Sequence, residues 1–388
     1  MSMKEALKNE LVGNILPFWS RMVREDGSFP GRIDIDGMCD DSSPVGAVMA
    51  FRMLWMFSAV SRYLKDEQAG QIADRLYGYV TNAFVDKDRG GVWWSVLPDG
   101  TVHCDKKQSY ALGFAIYALS EYAFLRGSRE AEEMAMRLFD CLEKRVWDDI
   151  HHGYVEALAA DWTPLDDVRL SDKDMNAVFT MNTHLHILEP YTNLYLLTSD
   201  TAVRNAVLRL LNIFRDRIHD KGTSHLGSFF DSDWKRLDSE ISYGHDIEAS
   251  WLICEAADAV GCGDKSYYEL ADNLVHACED GFMADGSLAY RNDSGFLDEE
   301  RHWWVQAEAA VGLMKMYRRT GQTKWLEQSR RVWDYISKNI VDCRGGEWFW
   351  SILPDGSVNM KEDKAGFWKC PYHNGRMCVE LLKELEYE

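Results

Sequence analysis

The sequence predicts an all-α fold, an (α/α)6 barrel of six inner and six outer helices with short β-hairpin loops at one end. Two observations carry that prediction: a weak repeat along all 388 residues, and helical periodicity between its copies. The clearest copies are Gly90-Gly91-Val92-Trp93-Trp94-Ser95-Val96-Leu97-Pro98-Asp99-Gly100 and Gly345-Gly346-Glu347-Trp348-Phe349-Trp350-Ser351-Ile352-Leu353-Pro354-Asp355-Gly356. Each reads as a short apolar-aromatic strand closed by a Pro-Asp-Gly turn. Looser copies lie at Asp26-Gly27-Ser28-Phe29, Gly153-Tyr154-Val155-Glu156, Gly227-Ser228-Phe229-Phe230 and Gly286-Ser287-Leu288-Ala289-Tyr290. The repeated glycines at 27, 90, 153, 227, 286 and 345 are 63, 63, 74, 59 and 59 residues apart. Such spacing means one architecture repeated, so residues 1–388 read as a single domain.

A helix is expected before and after each loop. The preceding set covers 3–22, 67–84, 129–147, 201–218, 265–280 and 322–340. The following set covers 44–64, 108–126, 180–197, 244–260, 302–319 and 369–385. Segments of the second set, such as Val45-Gly46-Ala47-Val48-Met49-Ala50-Phe51 and Ala111-Leu112-Gly113-Phe114-Ala115-Ile116, are apolar nearly all round, which places them inside. The first set is amphipathic, as in Ile72-Ala73-Asp74-Arg75-Leu76, which places it outside. A closed ring is favoured over an open superhelical solenoid because neither terminal helix looks like a polar cap.

Composition narrows the function. The chain carries 43 Lys and Arg against 63 Asp and Glu, a formal charge of -20. No polybasic stripe suits a nucleic-acid partner. No apolar run is long enough for a membrane span, and the charged amphipathic start is unlike a signal peptide. Nine cysteines without a CxxC motif read as reduced thiols, the pattern of a cytoplasmic protein. There is no phosphate-binding glycine motif, no GxSxG elbow and no HExxH. His184 and His186 are two residues apart on a helix and diverge, so they do not read as a metal pair.

The geometry of the barrel has a chemical consequence. All six inner helices run the same way, so their positively polarised N-termini converge at one end. Near those starts lie Arg52, Tyr110, Asn182, His186, His245, Glu248, Trp304, Glu308, Trp368 and His373. Glu248 is three residues after His245, on one helix face, and is expected to orient it. Trp304 and Trp368 beside polar groups suit sugar stacking. Glu248 and Glu308 could be paired carboxylates of a glycosidase. Two histidines beside Arg52 favour proton transfer at a carbon next to a carbonyl, with the arginine holding an enediolate oxygen. Pro190, following Glu189, removes a hydrogen bond to the His186 carbonyl and predicts a kink.

At these residues the chain resembles the N-acylglucosamine 2-epimerase superfamily, most closely its cellobiose 2-epimerases. The resemblance covers the whole chain. Its motifs are Phe51-Arg52-Met53-Leu54-Trp55, Met181-Asn182-Thr183-His184-Leu185-His186-Ile187-Leu188-Glu189, Ser242-Tyr243-Gly244-His245-Asp246-Ile247-Glu248, Trp303-Trp304-Val305-Gln306-Ala307-Glu308 and Trp368-Lys369-Cys370-Pro371-Tyr372-His373-Asn374-Gly375-Arg376-Met377.

The resemblance implies C2 epimerisation of the reducing-end glucose of a β-1,4-linked disaccharide. His186 would assist ring opening. One of His245 and His373 would remove the C2 proton and the other would return it, through a cis-enediolate held by Arg52. Trp304 and Trp368 would hold the sugar, and Glu308, Asn182 and Tyr110 would line the site. No metal, nicotinamide or nucleotide is implied. The only partner expected is a small sugar, with the protein a monomer or weak homodimer. The superfamily also contains monosaccharide 2-epimerases, aldose–ketose isomerases and a renin-binding protein, so these readings remain beside the first.

Overall fold

The structure, a computed structural model, describes residues 2–387. Its inner helices are Ala47–Leu64, Ser109–Arg126, Met181–Thr198, Tyr243–Ala259, Trp303–Thr320 and His373–Glu384. The outer helices are Met3–Glu10 continued through Leu11–Ile15 into Leu16–Met22, then Glu67–Ala83, Arg129–Cys141, Thr201–Ile213, Ser266–Ala277 and Thr323–Tyr335. They form the (α/α)6 barrel expected from the repeat. Each inner helix packs against the next, and the sixth packs against the first.

The division into layers follows burial. Every residue from Ala47 to Ser61 of the first inner helix is buried. The outer helix Arg129–Cys141 buries only Ala131, Ala135, Leu138 and Phe139, spaced along one stripe. Four of the outer helices start where a side chain caps free amides: Ser2, Asp66, Ser128 and Asp200 each accept from the first turn. A fully buried Leu or Phe contributes about 1.5–3 kcal/mol. The apolar residues of the inner helices thereby offset the cost of holding charged groups inside the barrel.

One pairing rule closes the ring. The strand leading into each inner helix pairs antiparallel with the glycine loop of the following repeat. Val45–Gly46 pairs with Ser95–Val96, Lys107–Gln108 with Ala157–Leu158, and Phe179–Thr180 with Phe229–Phe230. Glu240–Ser242 pairs with Arg291–Asp293, and Arg301–His302 with Ser351–Ile352. The sixth member joins the two ends of the chain: Ile33 N donates to Ala365 O at 2.9 Å and Ala365 N to Ile33 O at 3.1 Å. Arg32 and Asp363 pair beside them at 2.6 Å, and Trp348 Nε1 donates to Glu10 at 2.8 Å. These bonds exclude the open solenoid.

One expected boundary changes in detail. The last inner helix starts at His373, not at residue 369, because the chain bends through residues 366–368 and 370–372, and Pro371 has no amide hydrogen to continue a helix through it. The third inner helix passes through Pro190 and stays helical to Thr198. Gly113 of the second inner helix covers that place: a Cβ there would fall 2.2 Å from the His186 carbonyl oxygen and 3.5 Å from Pro190 Cγ.

Candidate active site

The lead-in strands aim the first turns of all six inner helices into one end of the barrel. Arg52, one turn into the first, is 3 % exposed. Its Nη2 donates to Tyr110 Oη at 2.9 Å and its Nη1 to the Trp368 carbonyl at 3.4 Å. The guanidinium is sandwiched between the rings of Phe114 and Tyr372, at 4.2 and 4.4 Å. Tyr110 in turn lies 5.0 Å from the His186 ring and 6.2 Å from Trp368. Three inner helices and the last lead-in loop therefore meet at Arg52.

The two other histidines flank one aromatic plate. Trp304 lies 4.8 Å from the His245 ring and 5.8 Å from the His373 ring, centroid to centroid. Trp304 is only partly buried, as is Trp368, so both keep surface for a ligand. Gly244 makes this possible, since a Cβ there would sit 2.5 Å from the Trp304 ring. Trp94 and Phe367 back Trp368 at 5.8 and 5.3 Å, so Trp94 is packing. Asn182, one turn before His186, has its side-chain oxygen buried with no hydrogen-bond partner.

One expectation is overturned. Glu248 does not orient His245, because its carboxylate turns inward to Arg376 and faces His186. Ser242, three residues before His245 and at the helix start, holds His245 Nδ1 at 2.7 Å. Glu248 Oε1 accepts from Arg376 Nη2 at 2.5 Å, and its Oε2 stands 3.9 Å from His186 Nε2. Glu308 likewise backs a histidine: its Oε1 lies 2.7 Å from His373 Nδ1 and its Oε2 accepts from Trp251 Nε1 at 3.2 Å.

Sequence reasoning missed Arg376, Glu189, Tyr372, Trp251 and Ser242. Glu189 Oε2 lies 3.1 Å from His186 Nδ1, and both its oxygens accept from Tyr372 Oη at 2.7 Å. Arg376, 1 % exposed, bonds Glu189 through Nη1 and both Glu248 and Glu308 through Nη2. A charged residue one turn into an all-buried helix is the signal that could have found Arg376.

The electrostatics follow from burial. It pushes His186, His245 and His373 below the usual imidazole value, with the Arg52 and Arg376 charges lowering His373 further. All three are neutral at pH 7. Burial pushes Glu189 up, but Arg376, His186 and Tyr372 overcome it and bring it to about 2. Burial raises Glu248 and Glu308, and their mutual repulsion adds to the rise of Glu248. Glu248, Glu308 and His373 each place one ligand atom within 4.8 Å of the others, a spacing a metal could use. The Arg376 guanidinium already supplies the cation there.

A cavity of about 1590 Å³ lies elsewhere in the barrel. It opens among the C-terminal halves of the inner helices and is lined by Trp55, Arg62, Glu121, Lys315 and Glu380. Its charges pair with each other, Arg62 with Glu121 at 2.7 Å and Lys315 with Glu380 at 3.1 Å. His186, His245 and His373 do not line it, and Trp251, the donor to Glu308, stands between the cavity and the histidine site.

The sequence pattern of the N-acylglucosamine 2-epimerase (GlcNAc 2-epimerase) family matches residues 27–375. The chain belongs to that family. It is 45% identical over 388 residues to the cellobiose 2-epimerase of Bacteroides fragilis, covering 98% of this chain and 99% of that one. It is 36% identical to the cellobiose 2-epimerase of Ruminococcus albus, with 97% of each chain covered. Among solved structures, cellobiose 2-epimerase from Bacillus thermoamylovorans superposes with a TM-score of 0.95 at 38% identity, over 98% of both chains.

Proposed function

We propose that this protein is a cellobiose 2-epimerase, converting the reducing-end glucose of cellobiose or lactose to mannose. One observation carries the chemistry: two neutral imidazoles, His245 and His373, face one aromatic plate, Trp304, from different helices. The near full-length relationship to cellobiose 2-epimerases supports the substrate.

In this reading Trp304 and Trp368 stack on the reducing-end ring. His186 assists transfer of the O1 proton to O5, opening the ring to the aldehyde. One of His245 and His373 takes the C2 proton through its free Nε2, and the electrons move to O1, giving a cis-enediolate. Arg52, Tyr110 and the inner-helix N-termini stabilise that oxygen; a preorganised donor of this kind contributes roughly a hundred- to a thousandfold in rate. Rotation about C2–C3 presents the other face; the second histidine takes a proton from solvent at Nε2 and gives it to C2, while the first releases the proton it removed to solvent. The O1 electrons reform the carbonyl and the ring closes as mannose. Neutral histidines suit both roles, since each can accept and later give a proton. Asn182 offers its unpartnered oxygen to a sugar hydroxyl.

Incubation with cellobiose in deuterated water tests this. The expected product is 4-O-β-glucosylmannose with deuterium at C2. Free glucose would indicate a carboxylate-driven hydrolase, and ketose products an aldose–ketose isomerase. Faster turnover of free glucose or mannose than of cellobiose would replace the disaccharide by a monosaccharide substrate.

A further inference from the structure

Resting on the epimerase reading, we propose that Arg376 is a positioning residue that fixes His186 and His373 together as Nδ1–H tautomers, through the carboxylates Glu189 and Glu308. The argument begins with donors. Glu308 faces Trp251 Nε1 at 3.2 Å, Arg376 Nη2 at 2.7 Å and His373 Nδ1 at 2.7 Å. Tryptophan and arginine can only donate, so Glu308 is an acceptor toward both. Glu189 is bound by Arg376 Nη1, by Tyr372 Oη and by His186 Nδ1. Each carboxylate therefore lies between the guanidinium and a histidine Nδ1. An ionised carboxylate accepts only, so both Nδ1 atoms carry their protons and both Nε2 atoms are bare.

Three buried carboxylates around one arginine leave an excess of negative charge. Glu248 relieves it. Among the described residues its only hydrogen-bond donor is Arg376, at Oε1, and its Oε2 is buried without a hydrogen-bond partner. The proton shared between Glu248 and Glu308 therefore rests on Glu248. Glu308 and Glu189 stay ionised and keep their histidines aligned.

His245 is outside this arrangement. Its Nδ1 meets the neutral Ser242 hydroxyl. The two histidines beside Trp304 are thus held differently: His373 Nδ1 meets a carboxylate and His245 Nδ1 a neutral hydroxyl. Only the His186 and His373 ends of the site answer to Arg376.

Arg376→Met and Arg376→Lys test this. Without the guanidinium, Glu189 and Glu308 bind protons at higher pH and cease to accept from Nδ1. The acid limb of kcat/KM on cellobiose is expected to move up by at least one pH unit in R376M, with kcat down roughly a hundredfold. R376K, which restores charge but not the two-armed geometry, is expected to lie between. Long-range 1H–15N spectra of the histidine rings, recorded without substrate, are expected to show the Nδ1–H form for His186 and His373 in the wild type and loss of that preference in the variants. His245 is expected to keep its spectrum. Circular dichroism verifies the fold, and if R376M does not fold, R376K decides. A folded variant with an unmoved acid limb and unchanged His186 and His373 tautomers overturns the proposal. Failure of the wild type to label C2 of cellobiose would instead overturn the epimerase reading, leaving the tautomer measurement valid.

Discussion

His373 Nδ1 lies 2.7 Å from Glu308 Oε1, so the first buried turn of the last inner helix is tied to the fifth. The hydrogen bond leaves the far nitrogen, Nε2, as the only free ring atom of His373. We expect His373→Ala and His245→Ala each to remove nearly all epimerisation of cellobiose, at least a hundredfold for a lost acid or base. Circular dichroism is expected to be unchanged. A folded single variant keeping more than about a tenth of the activity would refute the pairing.

Ser242→Ala tests what orients His245. A single neutral hydrogen bond contributes about 1 kcal/mol net, so kcat is expected to fall roughly fivefold with KM nearly constant. Unchanged kcat would show that another group sets the ring, and Glu248 would return as the candidate.

Activity is expected to survive below the ordinary histidine value of about 6.5. Burial holds His245 and His373 below that value. As pH falls through those lowered values the imidazoles gain protons and the base is lost, so the acid limb of kcat lies on the low side of pH 6.5. A limb above pH 7 in a pH–rate profile would contradict this assignment.

EDTA is expected to leave turnover unchanged. The one acidic trio with metal-like spacing among the described residues, Glu248, Glu308 and His373, is already bridged by Arg376. Loss of activity that added divalent metal restores would show that a metal displaces the arginine.

Gly113→Ala probes the support beneath His186. The new methyl would meet the His186 carbonyl at 2.2 Å, and overpacking of this kind costs about 1–3 kcal/mol. We expect a lower melting temperature together with a lower kcat, because the helix carrying His186 must shift. Wild-type values for both would show that the two helices part without cost.

The barrel was legible because its signal is local and repeated. Glycine-aromatic loops at 27, 90, 153, 227, 286 and 345 and all-apolar segments such as 111–116 state the alternation of layers directly. The residue types of the site were legible for the same reason: polar side chains near six helix starts stand out against apolar neighbours. What the sequence could not state was who faces whom. Glu248 and His245 share a helix face by spacing, yet the tertiary structure gives Glu248 to Arg376, 128 residues away, and His245 to Ser242. A buried carboxylate pairs with whichever cation the fold brings within reach, because leaving it unpaired costs more than any helix-local preference supplies. Ring closure was likewise decided by a contact between the ends of the chain, Ile33 with Ala365, which no local pattern encodes.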